Sequence, residues 1–291
     1  MFTVAAAVAP DAMNWWQALV LGIVEGLTEY LPVSSTGHLL LAQRLLGIGG
    51  SEASDAFAIC IQAGAIVAVI GLYRQRIVQM WAGLRGQNPA GRALAVNLVA
   101  AFVPAAGLGF VLQKVLKKYL FGGETWGLWP VVAAWFAGGV AILAVNVYRR
   151  QREEKHRPRF DLEGLTVKMS LVIGVSQCLA LWPGTSRSLV TIVGGILVGL
   201  RMRAAVEFSF LLGLLTLGAA TSYDALKHGR AMVETYGAGS LALGFIAAWL
   251  SAVLAVKWMV AYLNRHGLEV FGYYRIALAI GVTVWLKLAV G

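Results

Sequence analysis

Apolar residues in this chain come in long runs separated by short polar interruptions. Runs of roughly 18–22 residues predict helices that cross a membrane. Asn14 caps a first apolar segment over residues 15–31, which is short for a span, holds Glu25 and Glu29, and stops at Pro32. The next apolar piece, 37–46, is too short to cross. Two half-length helices around a polar turn predict a re-entrant hairpin over about 15–46, tolerated at depth only where protein or water surrounds it. An acidic loop at 47–55 leads to a span over 56–73, a loop with Arg74, Arg76, Arg85 and Arg92, and a span over 93–113 that Pro104 should kink. A loop with Lys114, Lys117, Lys118 and Glu124 follows, then a span over 126–148.

The second half repeats the plan. Residues 164–182 form an apolar segment ending at Pro183, a short piece runs to Leu200, and spans follow over 204–226, 241–263 and 270–290. The pattern therefore predicts an all-α polytopic membrane protein with six transmembrane helices plus two re-entrant helical hairpins. Residues 1–148 form a first repeat, 149–163 a basic cytoplasmic loop, and 164–291 a second repeat with its hairpin at about 164–200. Three spans per half is an odd number, so the repeats have inverted topology. Most basic residues, at 74–92, 149–161, 201–203 and Arg265, then fall on one side, as the positive-inside rule expects. Trp15, Trp16, Trp126, Trp129 and Trp285 fit aromatic belts.

Composition sharpens this picture. Charged residues make up 13% of the chain and hydrophobic ones 59%, with a mean hydropathy of +0.72. The charged share is about half that of a soluble protein. A net charge of +10 could suggest nucleic acid, but the basic residues sit in short loops between apolar runs, so no nucleic-acid partner is expected. Cys60 and Cys178 lie far apart in apolar surroundings and read as small core residues. Residues 1–10 are apolar but short and lack a basic start, so no cleaved signal peptide is expected.

The chemistry concentrates at the two proline-broken turns. In Glu25-Gly-Leu-Thr-Glu29-Tyr-Leu-Pro-Val-Ser34-Ser35-Thr36-Gly-His38, the acids are spaced to share one helix face. Ser35 or Thr36 is the expected N-cap of the next helix, with His38 in its first turn. Acids in an apolar segment are usually functional, and this pair suits a metal ion or proton handling. A hydroxyl beside His38 could act as nucleophile with the imidazole as base. In Pro183-Gly-Thr-Ser186-Arg187-Ser188 a turn aims a guanidinium fork from a helix start, an arrangement suited to phosphate. Arg275, after Tyr273 and Tyr274, reads as an interface anchor without a chemical role.

These motifs resemble those of the bacterial undecaprenyl-diphosphatase family of the bacitracin-resistance type. Glu25, Glu29, Pro32, Ser34, Ser35, Thr36, Gly37 and His38 match its first motif, and Pro183, Gly184, Ser186, Arg187, Ser188 and Thr191 its second. The resemblance implies hydrolysis of undecaprenyl diphosphate to the monophosphate carrier lipid, with a divalent cation, Mg or Ca. It implies a multi-pass protein of the bacterial inner membrane, among membrane lipids, with its site on the periplasmic side. Carried over by position, Glu25 and Glu29 hold the metal, Ser35, His38, Glu29 and Arg187 are catalytic, and Ser34, Thr36, Ser186, Ser188 and Thr191 bind substrate. Leu189 and Leu215 depart from the pattern, which has Gly and Pro there, and put local geometry in doubt. The nucleophile, Ser35 or a water held between Glu29 and His38, stays open, as does a homodimer. The alternative function is a lipid flippase or transporter that binds the head group without cutting it, since inverted repeats with broken helices are transporter architecture.

Overall fold

The computed structural model describes residues 13–48, 52–116, 127–154 and 159–290. Over these residues the chain is almost wholly helical. The helices are α1 (Trp15–Thr28), α2 (Ser35–Leu45), α3 (Glu52–Leu72), α4 (Arg74–Leu84), α5 (Pro89–Leu116), α6 (Trp129–Glu154), α7 (Val167–Gln177), α8 (Arg187–Val198), α9 (Met202–Leu263) and α10 (Glu269–Val290). Five segments are long and apolar enough to cross a membrane: Pro89–Leu112, Trp129–Gln151, Met202–Leu226, Tyr236–Leu263 and Glu269–Leu288. Phe57–Leu72 makes a sixth when taken with Arg74–Leu84, into which it bends by 76°. The protein is an all-α, multi-pass membrane protein.

Two features of the helices differ from the expectation. The basic stretch after residue 73 folds as α4 rather than as a loop. Met80 packs on the core while Val78, Trp81 and Leu84 stay exposed, and the Arg85 guanidinium lies 4.9 Å from the centre of the Trp81 ring. The charges hid a helical period. Helix also continues beyond Leu226, and the two spans of α9 are separated at Gly237, whose φ of 70° and ψ of 152° lie outside the helical region. Glycine enters that region without the steric cost of a Cβ atom. The expected loop residues Lys117, Lys118 and Glu124 lie outside the described residues, as does 1–10.

The hairpins are held inside the bundle by close packing. Along α1, a methyl group added at Gly22 or Gly26 would collide with the backbone carbonyl of Gly244 or Ala248 on α9. Small residues spaced by four let two backbones approach in a membrane, where dispersion and not water exclusion drives association. This approach seats α1 deep enough that both Glu25 and Glu29 are buried. At one end of the bundle, charged side chains clip elements together: Arg76 to Glu207 at 2.7 Å and Glu163 at 3.5 Å, Arg150 to Glu269 at 2.7 Å, and Arg201 to Asp161 at 2.8 Å. The exposed Arg201–Asp161 pair contributes about 0–1 kcal/mol.

Candidate active site

Both hairpins break in the same way. After α1 the chain turns through Pro32 and restarts at Ser34, with φ 75°; after α7 a 3-10 turn (Cys178–Leu181) leads through Pro183 to Ser186, with φ 77°. These two serines are the non-glycine residues with positive φ among the described residues. Such backbone costs on the order of 1–3 kcal/mol and clusters at functional sites. Each serine caps the helix that follows, Ser34 Oγ accepting from the Gly37 N–H at 3.4 Å and Ser186 Oγ from the Leu189 N–H at 3.2 Å. The N-cap of α2 is therefore Ser34, and not Ser35 or Thr36, because it is the Ser34 hydroxyl that accepts from a free N–H of the first turn. Ser35 and Arg187 become the first residues of their helices. Leu189 is buried in the core, so the missing glycine does not crowd the turn.

The turns meet at Glu29. Arg187 Nη2 donates to Glu29 Oε1 at 3.0 Å, Ser35 Oγ donates to Glu29 Oε2, and Arg187 Nη1 donates to the Ser209 carbonyl at 2.9 Å. The side chains of Glu29 and Arg187 are 5% and 12% exposed, so this is a nearly desolvated pair. Removing one partner of such a pair costs on the order of 3–5 kcal/mol, because the other charge is left uncompensated. Three buried polar atoms around the pair lack a partner: Arg187 Nε, Glu25 Oε2 and the Tyr30 hydroxyl, whose ring centre lies 5.5 Å from the Arg187 guanidinium. Glu25 lies one helical turn before Glu29 and is buried with it, so the two acids do share one face. The cluster thus has a spare donor on its cation and a spare acceptor on its anion, an arrangement that accepts an oxyanion and a cation together.

His38 lies in the first turn of α2, as the motif predicts. Its Nδ1 lies 2.7 Å from the Ser34 carbonyl and its Nε2 2.7 Å from the Tyr274 hydroxyl. A carbonyl only accepts, so Nδ1 carries the proton, and a neutral ring then accepts at Nε2 from Tyr274. His38 and Ser35 are not hydrogen-bonded to each other; the group on the Ser35 hydroxyl is Glu29. The ring of His38 turns back onto the Ser34 carbonyl and out to Tyr274 on α10, while the Ser35 hydroxyl is taken by Glu29 from α1.

The other hydroxyls serve the turns themselves. The Leu189 N–H meets Ser186 Oγ, which lies 3.0 Å from Ser188 Oγ, and Ser188 Oγ donates to the Leu31 carbonyl at 2.8 Å. This relay ties the second turn to the first. Thr191 is fully buried, with Oγ1 2.9 Å from the Arg187 carbonyl and 2.6 Å from Ser209 Oγ. Thr36 is exposed beside them. Of the hydroxyls expected to bind substrate, Ser34, Ser186, Ser188 and Thr191 therefore already have protein partners.

Sequence reasoning missed Arg275 and Tyr274. Arg275 is fully buried and donates to four backbone carbonyls: Pro32 at 3.3 Å and Gly184 at 3.0 Å, one at each turn, and Ala134 at 2.8 Å and Trp135 at 3.3 Å on α6. Trp135 adds a bond from its indole N–H to the Val33 carbonyl at 3.1 Å. A cation in the middle of an apolar span was the available signal, and the neighbouring tyrosines disguised it as an interface anchor.

Among the described residues no three His, Cys, Asp or Glu side chains converge. Two carboxylates with one unpartnered oxygen still fit a hard divalent cation, since Mg²⁺ commonly takes one or two carboxylates and completes its shell with substrate phosphates and water.

The family model described as Bacitracin resistance protein BacA matches residues 18–281. The chain is 44% identical over 275 residues to the undecaprenyl-diphosphatase of Sorangium cellulosum, covering 94% of this chain and 87% of the relative. It is 43% identical to undecaprenyl-diphosphatase 2 of Rhodospirillum rubrum (94% and 97% covered) and 38% identical to the undecaprenyl-diphosphatase of Aquifex aeolicus (92% and 97%).

Proposed function

The chain belongs to the bacitracin resistance protein BacA family, and from that premise we propose that it hydrolyses undecaprenyl diphosphate to undecaprenyl phosphate and inorganic phosphate, with Glu29, Ser35 and Arg187 as the reacting centre. The observation that carries the reading is the meeting of a carboxylate, a hydroxyl and a guanidinium from two broken helices, with the Arg187 Nε still unpaired. A diphosphate oxygen draws the fork from Glu29 and takes the unpartnered Nε as a further donor. Glu29, released from Arg187, accepts the Ser35 proton as Oγ attacks the terminal phosphorus. The Oγ–P bond forms, the bridging P–O bond breaks, and undecaprenyl phosphate leaves. Water then attacks the phosphoserine, the Oγ–P bond breaks, and Glu29 returns its proton to Oγ, releasing phosphate. Glu25 and Glu29 would hold the divalent cation, which supplies charge neutralisation of the diphosphate. His38, held by Ser34 and Tyr274, fixes the start of α2 and its exposed face towards the substrate.

Ser35→Ala tests the nucleophile. It should lower kcat by more than about a hundredfold, and rapid quench of the parent should trap a phosphorylated serine. Near-full activity of the variant would hand the attack to water.

The finer architecture belongs to this reading. Two hairpins of inverted sense, within repeats 1–148 and 164–291 joined by the basic 149–163 segment, are supported by the matching serine caps and by the long helices that follow each hairpin. The clipped end with Arg76, Arg150 and Arg201 is rich in basic residues and is taken as cytoplasmic. The protein then lies in the inner membrane with its first hairpin open to the periplasm, where the lipid diphosphate left by cell-wall polymerisation is exposed.

A further inference from the structure

A second feature adjoins the reacting centre. A cleft of about 440 Å³ opens on the lipid-facing surface between the first turn, α9 and α10. Its walls include Leu31 and Val33 from the turn, Leu254 and Trp258 from α9, and Phe271 and Tyr274 from α10. Leu254 and Trp258 are 66% and 51% exposed, so the mouth is open. Two hydroxyls line the cleft and neither is free for a ligand: Thr28 donates to the Val24 carbonyl at 2.7 Å, and Tyr274 to His38 Nε2. The cleft wall is therefore almost wholly apolar, a poor fit to a charged head group and a good one to an apolar chain.

Its position selects which chain. Thr28 adjoins Glu29 in sequence. The Leu31 carbonyl receives the Ser188 hydroxyl that ties the turns, and the Tyr274 ring lines the cleft while its hydroxyl holds His38. The cleft is thus walled by the first turn, whose other end carries Ser34 and Ser35, and by Tyr274, whose hydroxyl holds His38. A diphosphate bound at Arg187 has to lead its hydrocarbon out through an apolar surface, and this one is adjacent.

We propose that the cleft is the binding site for the head-proximal isoprenoid units of the substrate. The inference rests on the hydrolytic reading above and names the part of the molecule that gives tail specificity. Leu254→Trp and Val270→Trp should each obstruct the mouth, since Val270 also borders it. Ile280→Trp, an exposed position of α10 away from the cleft, is the control.

The test uses the full chain in nanodiscs with two substrates, undecaprenyl diphosphate and dimethylallyl diphosphate, the second too short to occupy the cleft. In the cleft variants, KM for the long substrate should rise by at least about tenfold relative to KM for the short one, the loss of burial of a few methylene groups. The Ile280→Trp variant should show the parent ratio. In parallel, a prenyl diphosphate with a diazirine on its first isoprene units should label the segments holding Leu254–Trp258 and Val270–Tyr274 of the parent, and excess undecaprenyl diphosphate should suppress the label. An unchanged KM ratio, or labelling elsewhere, overturns the proposal. So does equal labelling by a diazirine phospholipid that undecaprenyl diphosphate fails to displace, which would mean a groove filled by bulk lipid. Suppressible labelling in a protein that hydrolyses neither substrate would leave the tail site standing and remove the hydrolytic reading. If the tryptophan variants do not fold, labelling of the parent decides.

Discussion

Gly213 on α9 has no chemical group, yet it leaves the room that the Arg187 guanidinium occupies. A Cβ atom at Gly213 would sit 2.6 Å from Arg187 Nη2 and closer still to Nη1 and Cζ. Ordinary contact begins near 3.4 Å, so Gly213→Ala has to push the fork away by roughly 1 Å. A misplacement of that size at a positioning group costs about a hundredfold in rate. The stability change should be small. Overpacking costs about 1–3 kcal/mol, the guanidinium is the movable end of a side chain, and Ala gains about 1 kcal/mol over Gly within a helix. The expected outcome is a variant that purifies and melts near the parent but releases phosphate from undecaprenyl diphosphate about a hundredfold more slowly. Gly218→Ala is the matched control: the same helix, the same substitution, and nothing within 4 Å of the added methyl. It should be fully active. Gly213→Ala activity within about twofold of the parent, in folded protein, would refute the placement of Arg187 at the reacting centre.

Other outcomes follow from the same geometry. Arg187→Lys keeps the charge but cannot reach Glu29 and the Ser209 carbonyl while also offering a third donor, so turnover should fall by at least about tenfold; parent-like kinetics would make the arginine structural. Glu25→Gln and Glu29→Gln should each move the Mg²⁺ titration of activity to higher concentration, because an amide binds a hard cation less well than a carboxylate, and unchanged curves for both would leave the pair to proton handling alone. For orientation, with Cys60 and Cys178 replaced by Ala, a cysteine at Ser51 should react with an impermeant thiol reagent in intact cells and one at Gln151 only after lysis. The reverse pattern would place the site on the cytoplasmic face.

The sequence by itself determined the class of the fold and singled out the two proline-broken turns as the candidate site. Backbone groups in hydrocarbon must be satisfied within the protein, so long apolar runs of helical length mark the candidate spans, and Pro32 and Pro183 mark where helices break. Carboxylates and an arginine at those breaks are too costly in lipid to be incidental. What it left undecided are relations between segments distant in the chain. That Glu29 and not His38 meets the Ser35 hydroxyl depends on where α1, α2 and α10 sit relative to one another, and spacing within one motif holds no such information. That Arg275 bonds to both turns joins residues 32, 184 and 275, which no local period connects. The Ser188 bond to the Leu31 carbonyl likewise joins two motifs that read independently. Burial of a charge and its partner is a property of the packed bundle, because only packing removes water and lipid and leaves backbone carbonyls as the remaining acceptors.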